Sequence, residues 1–266
     1  MRQSVRIGAY GDPFAVPKNI WEKLFKGRSK IKHRRKDLPD LGWILYRGPS
    51  MFDPKTEIVL IATRNSRNIK TGNMIQLWIL LVDIAPHEAT KELKAICGGC
   101  LYRHDLADKG KGGCYVLRHN APLSIWRSFH SGKYSTDTDQ AFDFIADQID
   151  RYGYTGYSEG SIRFLNSRIK EKAQNAEFLA SKIMLSAKSQ IEALELQRKG
   201  FKTFRPVGSL DEMIEGETLC ESDKNDLQCE ECLKCDAKNG SIVVLAHGAK
   251  KKTVLHTIGS LKRATA

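Results

Sequence analysis

The chain has 266 residues, of which 41% are hydrophobic and 8% aromatic, so it has material for one large or two small domains and is not a disordered chain. Its formal net charge is +12 and its pI ≈ 9.3, a balance that attracts polyanions and points to DNA or RNA as a partner. The longest apolar stretch, Met74 to Ala85, is interrupted by Gln76 and Asp83 and is too short to span a bilayer. No basic and apolar leader opens the chain, so the expected location is the cytoplasm, with no membrane partner.

Val5 to Tyr10 alternates apolar and polar residues and reads as a strand, broken by Gly11–Asp12–Pro13. Lys18 to Phe25 carries Ile20, Trp21, Leu24 and Phe25 at helical spacing, with Pro17 near its start. Tyr10 and Asp12 therefore sit at the C-terminal end of a strand, where α/β folds place ligand-binding residues, although Gly-Asp-Pro is also ordinary turn material. The stretch 26–36 reads as a basic linker. Its Lys26, Arg28, Lys30, Lys32, Arg34 and Arg35 are candidate phosphate contacts, with a solvated linker as the plain alternative. No aromatic residues interleave with them, so base stacking is not indicated.

Trp43 to Tyr46, Glu57 to Thr63 and Met74 to Ile84 read as strands, the last two joined as an antiparallel hairpin whose polar tip carries Arg64, Arg67 and Lys70. Pro86 opens a helix through Ile96, followed at once by Cys97–Gly98–Gly99–Cys100. The two glycines let backbone N–H groups approach sulfur, as a metal knuckle requires. After a loop from Asp105 to Gly113, Cys114–Tyr115–Val116 returns as extended chain. Pro122 to Phe129 and Thr138 to Tyr152 read as helices, and Gly153 to Ser161 as a loop rich in Gly and Tyr. Ser161 to Ser181 has mixed helical character. Lys182 to Ala187, Gln190 to Lys199 and Phe201 to Val207 form a strand–helix–strand unit with Gly200 closing its helix, which implies parallel strands and a right-handed crossover. Ser186 belongs with Tyr10 and Asp12 on the C-terminal rim of such strands. A final strand, Ile242 to Ala246, precedes His247 and a basic tail containing Lys250, Lys251, Lys252, Lys262 and Arg263.

The seven cysteines divide into a trio, Cys97, Cys100 and Cys114, and a quartet, Cys220, Cys229, Cys232 and Cys235. The count is odd and the chain is long, which disfavours a disulfide framework. Neighbours such as Glu, Lys, Asp and Gly do not describe a core of buried small side chains. Both sets therefore read as metal ligands. The C-x-x-C-x-x-C run with one remote cysteine suits a [4Fe–4S] cluster, and zinc is the alternative for four thiolates. The expected fold is α/β: a parallel βα-barrel-like unit, partial or permuted, over residues 1–208, then a cysteine-rich metal-binding segment over 209–266.

The strings YRGPSMFD (Tyr46–Asp53), KTGNMIQLWIL (Lys70–Leu80), ICGGC (Ile96–Cys100), GCYV (Gly113–Val116) and APLSIWRSF (Ala121–Phe129) resemble an uncharacterised family common in phages and prophages. So do the terminal C-x8-C-x2-C-x2-C with Ala246–Gly248, RIGAYGDPFAVP (Arg6–Pro17) and GFKTFRPV (Gly200–Val207). The family is similar in layout to phage proteins of radical-SAM type, which implies a parallel α/β barrel, iron–sulfur ligation and S-adenosylmethionine as cofactor. This chain departs from the pattern in opening with the YGDP segment, which in the family follows the PLSIWRSF segment, and in lacking C-x-x-x-C-x-x-C. Two functions are expected from these observations. One is a phage-type iron–sulfur enzyme of radical-SAM type, whose trio leaves an open iron and whose quartet is a closed auxiliary site. The other is a metal-stabilised nucleic-acid-binding protein serving phage replication or DNA metabolism. The absence of a G-x-x-x-x-G-K-[ST] string argues against a P-loop NTPase.

Overall fold

The computed structural model of the chain describes residues 2–64, 71–100, 102–103, 120–158, 165–247 and 251–265. In chain order these form β1 (Val5–Tyr10), α1 (Lys18–Leu24), β2 (Gly42–Pro49), β3 (Glu57–Thr63), β4 (Ile75–Leu81), α2 (Lys94–Cys97), α3 (Ala121–His130) and α4 (Thr138–Tyr152). Then come β5 (Tyr154–Ser158), α5 (Lys170–Ala180), β6 (Met184–Ser186), α6 (Gln190–Arg198), β7 (Thr203–Val207) and β8 (Glu217–Leu219). The last elements are α7 (Glu221–Asn225), α8 (Cys229–Cys232), β9 (Ser241–Leu245) and α9 (Lys251–Thr265).

The described strands form one mixed sheet in the order β2-β3-β4-β1-β5-β6-β7-β9-β8. Only β3 runs against its neighbours; β4, β1, β5, β6, β7, β9 and β8 are mutually parallel. Such a sheet needs both faces covered, and the sequences show it. In β3 every residue after Glu57 is buried, and β4 is buried throughout, so both read as continuous apolar runs. Helices α1 and α4 pack on one another, and α4 also lies against β1 and β2. The β3–β4 hairpin and the β6–α6–β7 crossover form as expected. Ser189 caps α6 by accepting from Glu192 N at 3.2 Å, and Gly200 ends it at φ +86°. The expected barrel closure is not seen among the described residues, whose pairing ends at β2 and β8. Strands β8 and β9 continue the same sheet as β7.

Several elements differ from expectation, each for a physical reason. The stretch expected as a loop from Gly153 contains β5, a central strand held between β1 and β6. Its TYR–THR–GLY–TYR–SER sequence, one-letter YTGYS, has no aliphatic run, and Gly156 serves close packing. A Cβ there would stand 2.7 Å from Ile183 Cγ2 and 3.0 Å from Ile7 Cβ. The helix expected from Pro86 is confined to Lys94–Cys97, because Thr90, at φ −126° and ψ −96°, interrupts the turns before it. The basic tail is helical as α9, with Val254 and Ile258 buried near Ala246. Cys114, Tyr115, Val116, Arg67, Lys70, Gly248, Lys250 and the side chains of Lys262 and Arg263 lie outside the described residues. No helix among the described residues is long and apolar enough to cross a membrane.

Candidate functional site

The C-terminal cysteines sit on the connection between two parallel strands. Strand β8 must be joined to β9 by a crossover that lies over one face of the sheet, a task usually given to an amphipathic helix. Here residues 220–240 do it with two very short helices, α7 and α8. No residue from Cys220 to Gly240 is fully buried, and its only large apolar side chains are Leu227 and Leu233. The positive-φ residues other than glycine among the described residues all fall here: Asp226 (φ 55°), Leu233 (φ 50°) and Ala237 (φ 61°). Each such conformation costs roughly 1–3 kcal/mol and persists only where surrounding structure holds it.

Polar contacts seat the crossover. Cys220 N donates to Val243 O at 2.8 Å, which continues the β8–β9 ladder by one residue. Asp223 accepts from Leu245 N at 3.0 Å, and exposed His247 stands 3.9 Å from the same carboxylate. Lys234 pairs with Glu221 across the segment. Gln228 and Glu231 form a capping box at the start of α8. Glu230 accepts from Asn73 N at 2.7 Å, Cys235 O accepts from Gly156 N at 2.8 Å, and Tyr154 Oη reaches Lys182 O at 2.7 Å and Asp236 O at 3.3 Å. Asn73, Tyr154 and Lys182 stand at or just before the starts of β4, β5 and β6, so residues 229–236 lie at the N-terminal end of those strands.

Cys220, Cys229, Cys232 and Cys235 are half-buried. They sense one another's charge. Burial, then Cys220, Cys229 and Cys232 in turn, push the Cys235 thiol far up, with Arg6 opposing. Burial likewise pushes the Cys220 thiol up, with Asp223 and Cys229 adding to it and two backbone N–H groups opposing. The quartet spans the crossover from the end of β8 to the residues before β9. It is not drawn into a ligand shell: among the described residues no group of three or more His, Cys, Asp or Glu side chains is placed to hold a metal ion. The donor set itself, four thiols within sixteen residues on a segment without a buried side chain, fits a four-thiolate centre.

Cys97 and Cys100 are elsewhere. Cys97 ends α2 and packs against the main core, and Cys100 N donates back to Cys97 O at 3.1 Å. Asp12 N, just after β1, donates to Ile96 O at 2.5 Å, and Lys188 Nζ, just after β6, reaches Gly99 O at 3.4 Å. Gly98 takes φ +50°, and a Cβ there would press on the Phe52 ring at 3.0 Å. The knuckle therefore stands at the C-terminal rim of the parallel strands, near Asp12 and close in sequence to half-buried Ser186. Tyr10 is buried at the end of β1. Asp12 is 4% exposed, and its carboxylate accepts from Phe14 N at 3.0 Å, capping the turn over Pro13–Ala15. The structure brings Tyr10, Asp12 and the Cys97–Cys100 knuckle to one rim and puts Cys229, Cys232 and Cys235 toward the starts of β4, β5 and β6, with Cys220 following the end of β8.

The basic stretch is seated on α4 rather than loose. Lys26 stands 3.6 Å from Asp143, Arg28 3.0 Å from Asp150, and Arg34 2.7 Å from Asp37. Ser29 donates to Asp143, and His33 lies 3.0 Å from the same carboxylate. Burial alone would raise the Asp143 carboxyl, but Ser29, His33 and Lys26 outweigh it and hold it below the usual range. Lys26, Arg28, Lys30, Lys32, Arg34 and Arg35 are all exposed, and no ion pair forms at Lys30, Lys32 or Arg35 among the described residues. Arg64, expected at an anion-facing tip, is instead 3% exposed and donates to Pro39 O beneath the sheet's edge.

Arg6 was not among the residues singled out by sequence, because one arginine within a strand carries no motif. It lies on β1 opposite Thr155 of β5, and its Nη2 donates to Tyr157 Oη at 2.9 Å. No protein-family model matches the chain, and no curated protein or solved structure matches it, so its functional reading rests on its own residues.

Proposed function

We propose that the chain is a phage-type iron–sulfur protein in which Cys220, Cys229, Cys232 and Cys235 hold a closed structural centre. The observation that carries this reading is the crossover: four cysteines within sixteen residues on a segment with no fully buried residue and three positive-φ backbone positions. A metal centre supplies the cross-linking that an apolar stripe would otherwise give, since metal binding is coupled to folding. Zinc is the alternative occupant, because four thiolates satisfy either.

On the same reading the sheet is a partial βα barrel, and its C-terminal rim is the reactive end. There Cys97 and Cys100, with Cys114 as the third thiolate supplied by the sequence, hold an open cluster of radical-SAM type. Such a cluster would supply radical chemistry together with S-adenosylmethionine. Tyr10, Asp12 and Ser186 border that site. The support is the placement of the Cys97–Cys100 knuckle at strand C-termini, where α/β folds locate reacting groups.

Anaerobic purification followed by metal and sulfide analysis and visible spectroscopy tests the proposal. The expected result is iron with charge-transfer absorption that bleaches with dithionite and changes on addition of S-adenosylmethionine. Cys229→Ser should remove one centre and lower stability, while Cys97→Ala should abolish the S-adenosylmethionine response and leave the C-terminal centre filled. A protein that carries zinc alone after iron and sulfide reconstitution overturns the enzyme reading and leaves the second one, a metal-stabilised nucleic-acid binder. Exposed Lys30, Lys32 and Arg35 support that alternative.

A further inference from the structure

We infer that the cleft between the basic stretch and α4 binds single-stranded nucleic acid, seating one unstacked nucleotide while the neighbouring phosphates lie on the exposed cations beside it. The inference deepens the nucleic-acid reading of residues 26–36 and needs no metal.

Contacts distant in sequence build the cleft. After α1 the chain runs back along α4 before it enters β2. Arg28 stands 3.0 Å from Asp150, Ser29 and His33 meet the Asp143 carboxylate, and Gln140 Nε2 donates to Asp37 O at 3.0 Å. The partners on α4 step from its C-terminal to its N-terminal turns as the stretch advances, so the stretch is laid antiparallel on the helix. Helix α1 packs on α4 as well. These three pieces leave between them a cleft of ≈ 640 Å³, with Lys23, Lys26, Ile31, Lys32, Asp139 and Phe142 on its wall. That is within the range of roughly 300–1,000 Å³ usual for ligand sites.

The wall is bipolar along α4. Lys23 Nζ lies 5.0 Å from the Phe142 ring centroid, and Lys26 Nζ stands 3.6 Å from Asp143. Asp137 and Asp139 stand at the N-terminal turn. Lys26 is engaged by Asp143 and Asp37 by Arg34, but among the described residues Lys23, Lys32, Asp137 and Asp139 form no ion pair. A nucleotide suits this arrangement: phosphate oxygens accept from ammonium groups, and the amino groups of base edges donate to carboxylates. Exposed Lys30 and Arg35 extend the cationic track beyond the cleft, as a polymer of phosphates requires and a free nucleotide does not.

The second observation is Ile31. At 63% it is the most exposed large apolar side chain among the described residues, and it stands between Lys30 and Lys32 on the wall of the cleft. A lone exposed isoleucine needs no explanation. One set between two lysines at a cleft gives the face of a base an apolar surface with phosphate contacts on both sides. The stretch itself carries no aromatic residue; the apolar lining comes from Ile31 and from Phe142 of α4. A duplex keeps its bases stacked inside, so a cleft of this kind selects the single strand.

The test is fluorescence anisotropy on the full chain with a labelled mixed-sequence DNA strand, alone and annealed to its complement, across salt concentrations. Wild type should bind the single strand more tightly than the duplex. Ile31→Ser should weaken single-strand binding roughly 5–10-fold, the low end of losing a side chain that covers a base. It should leave duplex binding and the salt slope unchanged, because no phosphate contact is removed. Ile31 is exposed, so the variant keeps its fold, which an unchanged Tm verifies. Equal wild-type affinities for strand and duplex, or equal single-strand affinities of wild type and Ile31→Ser, overturn the cleft and leave the basic stretch as a general polyanion contact. A wild type that binds neither form at about 50 mM salt, where phosphate contacts are strong, overturns the nucleic-acid reading and this inference together.

Discussion

Removal of the Glu217 carboxylate should be among the most destabilising single changes available in this fold. Glu217 opens β8, and its side chain is 0% exposed beside Arg205 of β7, at 5%. The pair is bidentate, with Arg205 Nε to Oε1 and Nη2 to Oε2 both at 2.7 Å. Ile214 N also donates to Oε2 at 3.0 Å, and Arg205 Nη2 donates to Glu212 O at 2.6 Å. Glu217→Ala leaves a buried guanidinium with one carbonyl and an unsatisfied N–H at Ile214, which should cost about 3–5 kcal/mol. For a chain of this size that is a fall in Tm of roughly 6–20 °C, at about 2–4 °C per kcal/mol. Urea denaturation should show a lower midpoint with an unchanged slope. The double change Arg205→Met with Glu217→Leu should recover most of the loss, since an apolar pair needs no compensation. The consequence for the metal reading is direct, because Cys220 follows β8 at once. A loss of less than about 1 kcal/mol in Glu217→Ala, the range of an exposed pair, would mean that β8 is not seated as described and would remove the anchor of the quartet.

Gly156→Ala places a methyl 2.7 Å from Ile183 Cγ2 in the centre of the sheet and should cost roughly 1–3 kcal/mol in chemical denaturation; a neutral effect would refute the close β5 packing. Asp143→Asn should lower stability at neutral pH by roughly 1–3 kcal/mol, because the carboxylate is 15% exposed and serves Ser29, His33 and Lys26. The Asp143 pKa is depressed in the folded chain, so its contribution is present above the ordinary value of 3.8 and is lost as pH falls through the lower folded value. The gap between variant and wild type should accordingly close in acid, and a gap that persists there would point to packing instead. Changing Lys30, Lys32, Arg34 and Arg35 to Gln should weaken any DNA or RNA binding and flatten its salt dependence, read by fluorescence anisotropy across salt concentrations; an unchanged slope would place the contacts elsewhere.

The parts of the fold that sequence reveals are those in which one local pattern decides the outcome. Strand β3, as EIVLIAT, and the helix from Thr138 announce themselves by composition and period, and Ser189 with Gly200 marks both ends of α6. Strand β5 does not, because YTGYS is made a strand by neighbours on both sides rather than by its own apolar content. Strand β8 is three residues long and depends on one buried ion pair. The basic stretch reads as a linker because the acids that hold it, Asp143 and Asp150, lie more than a hundred positions away. In the candidate site the cysteines are legible by spacing. Arg6 is not, since its partner Tyr157 is separated from it by most of the chain and only the β1–β5 pairing brings them together.

The separation of the two cysteine sets limits what each can do. Residues 229–236 lie at the starts of β4, β5 and β6, and the Cys97–Cys100 knuckle at the ends of β1 and β6. A ligand held at one end cannot reach a metal at the other through the core, which is packed with buried Ile7, Ile79 and Leu185. The quartet is also the set with a structural deficit to repair: its segment forms the crossover from β8 to β9 without an apolar stripe. The rim pair has no such deficit. Cys97 packs against the core, and its loop is anchored by bonds from the Asp12 N–H and the Lys188 ammonium to backbone carbonyls. A thiol pair on a loop already anchored in this way, at the strand ends where parallel sheets place their ligands, is where selection for chemistry rather than for stability has room to act.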